Sequence, residues 1–323
     1  MKTILVTGGA GYIGSHTVKR LIEQDFSVVV ADNLVYGHKE ALPQNTPLEI
    51  VDLDDRGGLK ALFAKYTFDA VIHFAAYAYV GESVQDPAKY YRNNVIGTLN
   101  LLDAMLEADV KEIVFSSTCA TYGEPQYTPI DEAHPQNPIN AYGAGKLMIE
   151  RVFADYKRAY DLRYIALRYF NAAGATADAT IGASHDPETR LIPLVLRAAQ
   201  SDKPVQIFGD EYDTADGTCV RDYIHIDDLA DAHILALKAI DQYNGALNLG
   251  TGIGVSVREI INVAQKVVGK KIMFEIAKPR AGDPAKLVAA NAKAREILGW
   301  SPSRSDIETI IASTWNWEKS RRF

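Results

Sequence analysis

Short apolar runs separated by stretches in which apolar residues recur every three or four positions organise the first half of the chain. Strands are predicted over 4–6, 27–31, 48–51, 68–74, 112–116 and 162–168. Helices are predicted after the first strand, over 59–65, from Asp86 and Pro87 to about Glu107, and from Ala141 onward. Strand and helix in alternation predict an α/β fold, a doubly wound parallel (Rossmann) sheet with helices on both faces. Beyond Asn171 the alternation loosens, and the boundary is expected there. Residues 1–171 are expected to form a dinucleotide-binding domain and 172–323 a smaller mixed α/β domain for the substrate, some of whose segments return to the first sheet. In that second half helices are expected over 191–199, 226–240 (capped by Asp227 and Asp228), 257–268 and twice near the C-terminus, with strands over 205–208, 246–249 and 272–276.

The chemistry begins where the first strand ends. Gly8, Gly11 and Gly14 stand in GxxGxxG spacing between that strand and its helix. One glycine permits the turn, one admits a pyrophosphate to the backbone, and one lets the helix pack closely. The amides opening the helix at Tyr12 and Ile13 would then face the phosphates. The second strand runs into Asp32, placed to accept from an adenosine ribose and to repel a 2′-phosphate, which favours NAD over NADP. Asp52, closing the third strand, is a candidate acceptor for the adenine amino group; a helix cap is the equally weighted alternative. The fourth strand, ending at Phe74, delivers Ala75 and Ala76, small enough for backbone to lie against a cofactor. Asn93 and Asn94 sit in the long helix, and one of them is a candidate cofactor contact.

The fifth strand delivers Ser116, Ser117 and Thr118. An irregular loop follows, and then Tyr142 and Lys146 stand four apart on one helix face. With 17 tyrosines and 18 lysines in 323 residues, chance alone predicts about one YxxxK, so the weight lies in its position after the hydroxyl cluster of a dinucleotide fold. A phenol with a reference pKa of about 10 becomes a base near neutrality when an ammonium stabilises its phenolate.

Composition narrows the field. A net charge of −7 and a pI near 5.6 speak against a broad nucleic-acid footprint, and no apolar run approaches the roughly 18 residues of a membrane span. The chain opens on a strand rather than a basic and apolar leader, so a cytoplasmic protein is expected. Cys119 and Cys219 lack CxxC spacing or nearby histidines; they are expected to be isolated thiols, and no metal is expected. The run 250–254 lacks the GK[ST] ending of a phosphate loop and is read as a structural turn.

The segments GGAGYIGSH, DNLVYG, FAAYAYVGES, YYRNNVIGT, VFSSTCATYG, NAYGAGK, LRYFNAAGA, FGDEYDTADGTCVRDYIHIDDLA and RAGDP are similar along nearly the whole chain to the UDP-sugar 4-epimerase branch of the extended short-chain dehydrogenase/reductase family. The resemblance implies NAD-dependent interconversion of UDP-galactose and UDP-glucose. Oxidation at C4 would give a 4-keto sugar that rotates and takes the hydride back. It implies cofactor contacts at Gly8, Gly11, Tyr12, Ile13, Asp32, Asn33, Asp52, Leu53, Asn94, Tyr142, Lys146 and Phe170. Tyr142 would act as base, Thr118 would share its hydrogen bond, and Lys146 would hold the nicotinamide ribose and lower the phenol's pKa. The UDP moiety falls to Asn171, Arg221, Arg280 and Asp283, with Phe208 near uracil. Arg190, beside Leu191, stands where the family carries asparagine in the diphosphate loop. Leu287 replaces a bulkier tyrosine beside the sugar, which implies room for N-acetylated UDP-hexosamines. A homodimer through the helices starting at Pro87 and Ala141 is also implied. The competing readings are a nucleotide-sugar dehydratase, whose carboxylates would stand where Cys119 and Ala120 are, and a non-catalytic dinucleotide-binding regulator.

Overall fold

The computed structural model describes residues 2–201, 203–280 and 282–323; Ala281 of the RAGDP segment lies outside them. In chain order the strands are β1 (Thr3–Thr7), β2 (Ser27–Asp32), β3 (Leu48–Ile50), β4 (Ala70–His73), β5 (Glu112–Ser116), β6 (Arg163–Tyr169), β7 (Asn171–Ala173), β8 (Val205–Phe208), β9 (Val220–His225), β10 (Gly245–Leu249), β11 (Gly254–Ser256), β12 (Phe274–Ala277) and β13 (Lys286–Leu287). The helices are α1 (Tyr12–Glu23), α2 (Arg56–Lys65), α3 (Val80–Gln85), α4 (Pro87–Tyr90), α5 (Gly97–Glu107), α6 (Ala141–Tyr160), α7 (Leu191–Ser201), α8 (Ile226–Ala239), α9 (Val257–Val268), α10 (Ala292–Leu298) and α11 (Ile307–Ser320).

Seven strands form one parallel sheet in the order β10-β6-β5-β4-β1-β2-β3. Alternate residues feed opposite faces, as strand geometry requires. Ile4 and Val6 of β1 pack with Val18 and Leu21 of α1 and with α8, while Leu5 packs with α2, α5 and α6 on the other face. Both faces are therefore covered, which is why the strands read as continuous apolar runs. The strand order reverses between β1 and β4, and the crevice at their carboxyl ends is where ligands of such sheets bind.

The second half of the chain builds a four-stranded sheet of β7, β9, β11 and β13, a parallel pair β8 and β12, and a third core among α7, α9 and α11. It also gives material back: β10 pairs with β6 at the edge of the large sheet, and α8 packs on α1.

Three expectations change. The 87–107 helix is interrupted by a π-helical segment, Tyr91–Ile96, which turns Asn94 into the core. The N-cap of α8 is His225, whose Nδ1 accepts from the Asp227 amide at 3.1 Å; Asp228 is buried and accepts from Arg304 and Ser305 instead. Strand β9 is absent from the sequence reading because Arg221 and Asp222 interrupt its apolar pattern. The buried Asp222 accepts from the amides of Thr251, Gly252 and Ala289, so it anchors the 250–254 turn. Among the described residues no helix is long and apolar enough to cross a membrane.

Candidate active site

A cleft of about 1580 Å³ opens along the carboxyl ends of the large sheet and is closed on its far side by the second half of the chain. Its sheet side is shaped by backbone. Gly8 has φ +70°, and a Cβ there would lie 2.6 Å from the Ala75 amide nitrogen. A Cβ on Gly14 would lie 2.2 Å from the Gly8 carbonyl, so α1 packs on the turn at a distance only glycine permits. Gly11 is the N-cap of α1; no side chain caps the helix and its first turn carries no acid, so the amides from Tyr12 and Ile13 are left for an anion. Asp32 is buried, which pushes its carboxyl upward, while the amides of Ala10 (2.9 Å) and Leu34 (2.8 Å) hold its two oxygens in place. Asn33, Leu53, Phe74, Ala75, Ala76 and Phe170 line the same cleft. A pyrophosphate-sized approach to a helix N-terminus with a fixed carboxylate beyond it fits a dinucleotide.

Two of the expected contacts are engaged within the protein. Asn94 does not line the cleft: it is 1% exposed, its Oδ1 accepts from the Tyr77 amide (2.9 Å) and its Nδ2 donates to the Tyr77 carbonyl (3.0 Å). It shapes the cofactor-side loop, and Asn93 is the neighbour that reaches the wall. Asp52 accepts from Asn33 Nδ2 (2.8 Å) and the Asp54 amide (2.9 Å) and is not part of the cleft wall.

The groups expected to react come from the end of β5 and from α6. Asn140 caps α6 by accepting from the Gly143 amide at 2.8 Å, and Gly143 lies so close to the Ala120 carbonyl that a Cβ would meet it at 2.4 Å. Tyr142 is thereby held beside the Thr118 side chain, which favours the ionised phenol. Lys146, one turn on and 2% exposed, donates to the Ser116 carbonyl at 2.8 Å and lies 5.9 Å from the Tyr142 ring centroid. Burial pushes the Lys146 ammonium down to about 7 and raises the Tyr142 phenol well above 10. The lowering of the phenol by Lys146 that the sequence suggests is not seen in the protein alone, where desolvation dominates. A further turn along α6 brings Glu150, which holds Arg168 bidentately (3.0 and 2.5 Å) and accepts from Ser117. Arg168 donates to Tyr122 Oη, which donates to Asn248 Oδ1. This buried chain ties the hydroxyl strand and α6 to β10. Sequence reasoning missed it because its partners are far apart in the chain; the i, i+4, i+8 run Tyr142, Lys146, Glu150 was the available signal. Tyr169 was missed as well: it lines the cleft and shares a 2.8 Å hydrogen bond with Ser116.

The far wall is built from paired side chains. Arg221 donates to Asp283 (2.6 Å) and to the Pro284 carbonyl (2.8 Å), and the Arg280 guanidinium stacks 3.8 Å from the Phe208 centroid. Leu287 of β13 lies beside Arg221 in register, and Asn171 donates to the Asp222 carbonyl at 3.0 Å. Leu191 opens α7 at the wall. Arg190 differs from the other arginines. Its guanidinium is held by both oxygens of Glu188 (2.8 and 2.5 Å) and lies 5.0 Å from the ring centroid of Tyr12, the first residue of α1.

The model of the family described as NAD dependent epimerase/dehydratase matches residues 4–250. A UDP-glucose 4-epimerase of Halalkalibacterium halodurans is 53% identical over 319 residues, covering 98% of this chain and 95% of that one. One from Streptococcus mutans is 52% identical over 322 residues, covering 98% and 97%. The crystal structure of UDP-glucose 4-epimerase from Brucella ovis in complex with NAD superposes with a TM-score of 0.93 at 49% identity, covering 98% of this chain and 99% of that one. That of the Bifidobacterium longum enzyme in complex with NAD+ and UDP gives 0.94 at 38% identity, covering 99% and 98%.

Proposed function

The chain belongs to the NAD dependent epimerase/dehydratase family, and on that premise we propose that it interconverts UDP-galactose and UDP-glucose with NAD bound at the sheet side of the cleft. The observation that carries this reading is the Tyr142 phenol beside Thr118 with Lys146 one turn away, at the junction of a dinucleotide crevice and an arginine-bearing wall. NAD, when bound, supplies a hydride acceptor that can return the hydride to the opposite face of a 4-keto sugar, and a positive nicotinamide ring beside the phenol. The protein's own part is proton handling and grip. Tyr142 Oη takes the proton of the sugar's 4-hydroxyl and gives it back, and Thr118 keeps donor and acceptor aligned. Lys146, fixed to the Ser116 carbonyl, presents its remaining N–H groups to the ribose side and adds charge near the phenol.

Arg221 and Arg280, with Asp283, Asn171, Phe208 and Leu191, hold UDP while the sugar stays free to turn. Guanidinium forks suit diphosphate oxygens, and the Arg280–Phe208 stack offers a flat surface to a base. Gly8, Gly11, Gly14, Tyr12, Ile13, Asp32, Asn33, Leu53, Ala75, Ala76 and Phe170 make up the NAD side in this reading. Residues 1–171 supply that side and 172–323 the UDP-sugar side. Dehydration is disfavoured because Cys119 and Ala120, after Thr118, offer no carboxylate, and burial pushes the Cys119 thiol up to about 12. Leu287 leaves room for an N-acetyl group, so UDP-N-acetylhexosamines belong to the proposed substrates.

The same reading makes the protein a cytoplasmic homodimer. Ile96 on the π-helical segment and Met148 on α6, two elements that contact each other, are each 45% exposed and offer apolar side chains to a second copy. Incubating the purified protein with UDP-galactose and no added cofactor, and following UDP-glucose by chromatography, tests the central reading. Product is expected; none, even after NAD is supplied, would overturn it.

A further inference from the structure

Two diphosphates must be held in one cleft if the reading above is right, and the arginines fall into two separate groups. Arg221 and Arg280 stand with Asp283 and Phe208 on the far wall. Arg190 has other partners. Both its Nε and Nη2 are engaged by Glu188, whose side chain is 1% exposed, so a buried carboxylate fixes the plane of the guanidinium. That plane lies 5.0 Å from the ring centroid of Tyr12, the first residue of α1, and Tyr12 Oη is itself anchored on the Gly174 carbonyl at 2.6 Å. Two further polar groups sit beside it. The ring of His185 meets those of Tyr12 (6.2 Å) and Tyr79 (6.0 Å) edge-on, and both His185 and Tyr79 line the cleft. His185 Nδ1 and Tyr79 Oη are buried without a hydrogen-bond partner among the described residues. Buried polar groups in native proteins are nearly always paired, so such orphans point to a missing acceptor or donor. A cation, two unsatisfied polar groups and an uncapped helix N-terminus thus converge on one side of the cleft.

We propose that Arg190, with His185 and Tyr79, is a clamp on the dinucleotide, closing over its pyrophosphate from the substrate-side loop, and that it does not grip the UDP diphosphate. The inference rests on the reading of the protein as an NAD-dependent enzyme. Each neighbour of the loop before α7 then has a defined part. Glu188 orients the fork, Tyr12 carries its face, and the Nη1 edge, which makes no hydrogen bond among the described residues, is left for a phosphate oxygen. NAD retention then depends on a residue of the second half of the chain, where the glycine motif gives no hint of it.

The test separates the two ligands by equilibrium binding, without reference to turnover. NAD-free protein is titrated with NAD by quenching of intrinsic fluorescence, and NAD-loaded protein is titrated with UDP by calorimetry. Arg190→Ala is expected to raise the Kd for NAD at least tenfold and leave that for UDP within twofold, with Arg190→Lys intermediate because the charge stays and the fork is lost. Arg221→Ala should do the reverse. Because Arg190→Ala leaves the buried Glu188 carboxylate with only Arg197, 3.9 Å away, as a cationic neighbour, the double variant Glu188→Gln/Arg190→Met is measured alongside it, and the same selective loss of NAD is expected. A tenfold loss of UDP affinity with NAD unchanged would assign Arg190 to the substrate and overturn the inference, as would no change in either ligand. Wild-type protein that binds no NAD would overturn the underlying reading, and the clamp with it.

Discussion

The two walls of the cleft are made in different ways. The wall proposed for the dinucleotide is backbone: amides at the start of α1, carbonyls and glycines in contact at Gly8 and Gly14, and a carboxylate at Asp32 pinned by two more amides. The wall proposed for the substrate is side chain: Arg221 on Asp283, Arg280 on Phe208, each pairing residues more than sixty positions apart. A backbone-built wall tolerates no added atom, whereas a side-chain wall loses its contacts one at a time. Tyr142 and Lys146 lie at the seam, set by close packing of α6 on the Thr118 turn, and share the intolerance of the first wall.

The largest effect is expected at that seam. Tyr142→Phe should lower kcat by about 10³-fold, within the usual range for losing a general acid–base, while NAD stays bound; stopped-flow turnover with extraction of the retained cofactor measures both. Next comes the backbone wall. Gly14→Ala places a Cβ 2.2 Å from the Gly8 carbonyl and 2.7 Å from Gly9 Cα, so the turn must distort. A loss of about 2–3 kcal/mol in urea denaturation is expected together with loss of NAD. Normal stability with NAD retained would erase the distinction drawn between the walls. On the substrate wall, Arg280→Ala should raise KM for UDP-galactose about tenfold, about 1.4 kcal/mol, and change kcat and NAD retention little. The smallest effect concerns the NAD-free protein. Burial holds the Lys146 ammonium at about 7 against 10.5 for a free lysine, so folding opposes its protonation. The cost is complete below pH 7 and disappears as pH rises toward 10.5. Lys146→Met should therefore raise Tm by on the order of 5 °C at pH 6 and hardly at all at pH 10; an equal gain at both would refute this sign.

The same contrast explains what could be read from the chain. The parallel sheet is legible because its central strands β1, β2 and β4 carry unbroken apolar runs. The glycine turn is legible because steric need restricts the residue type, and Tyr142 with Lys146 because both sit on one face of one helix. Arg221 was invisible as a strand residue, since β9 carries charged groups inward and so loses its pattern. Asn94 was placed on a regular helix, but a π-helical segment interrupts that helix and Asn94 holds the Tyr77 backbone, an arrangement that 3.6-residue periodicity does not anticipate. The Glu150–Arg168–Tyr122–Asn248 chain depends on β10 returning to the large sheet after some eighty residues of the second half, so only the folded arrangement exposes it.

The central claim is that hydride leaves C4 of the sugar and returns to the same carbon inside a closed cleft, with Tyr142 carrying only the proton. UDP-galactose bearing deuterium at C4 tests it most directly. After conversion in ordinary water, mass spectrometry of the UDP-glucose formed should find the deuterium retained at C4. Product with hydrogen from water at that position would contradict the account, because the reaction would then proceed through an exchangeable proton at carbon.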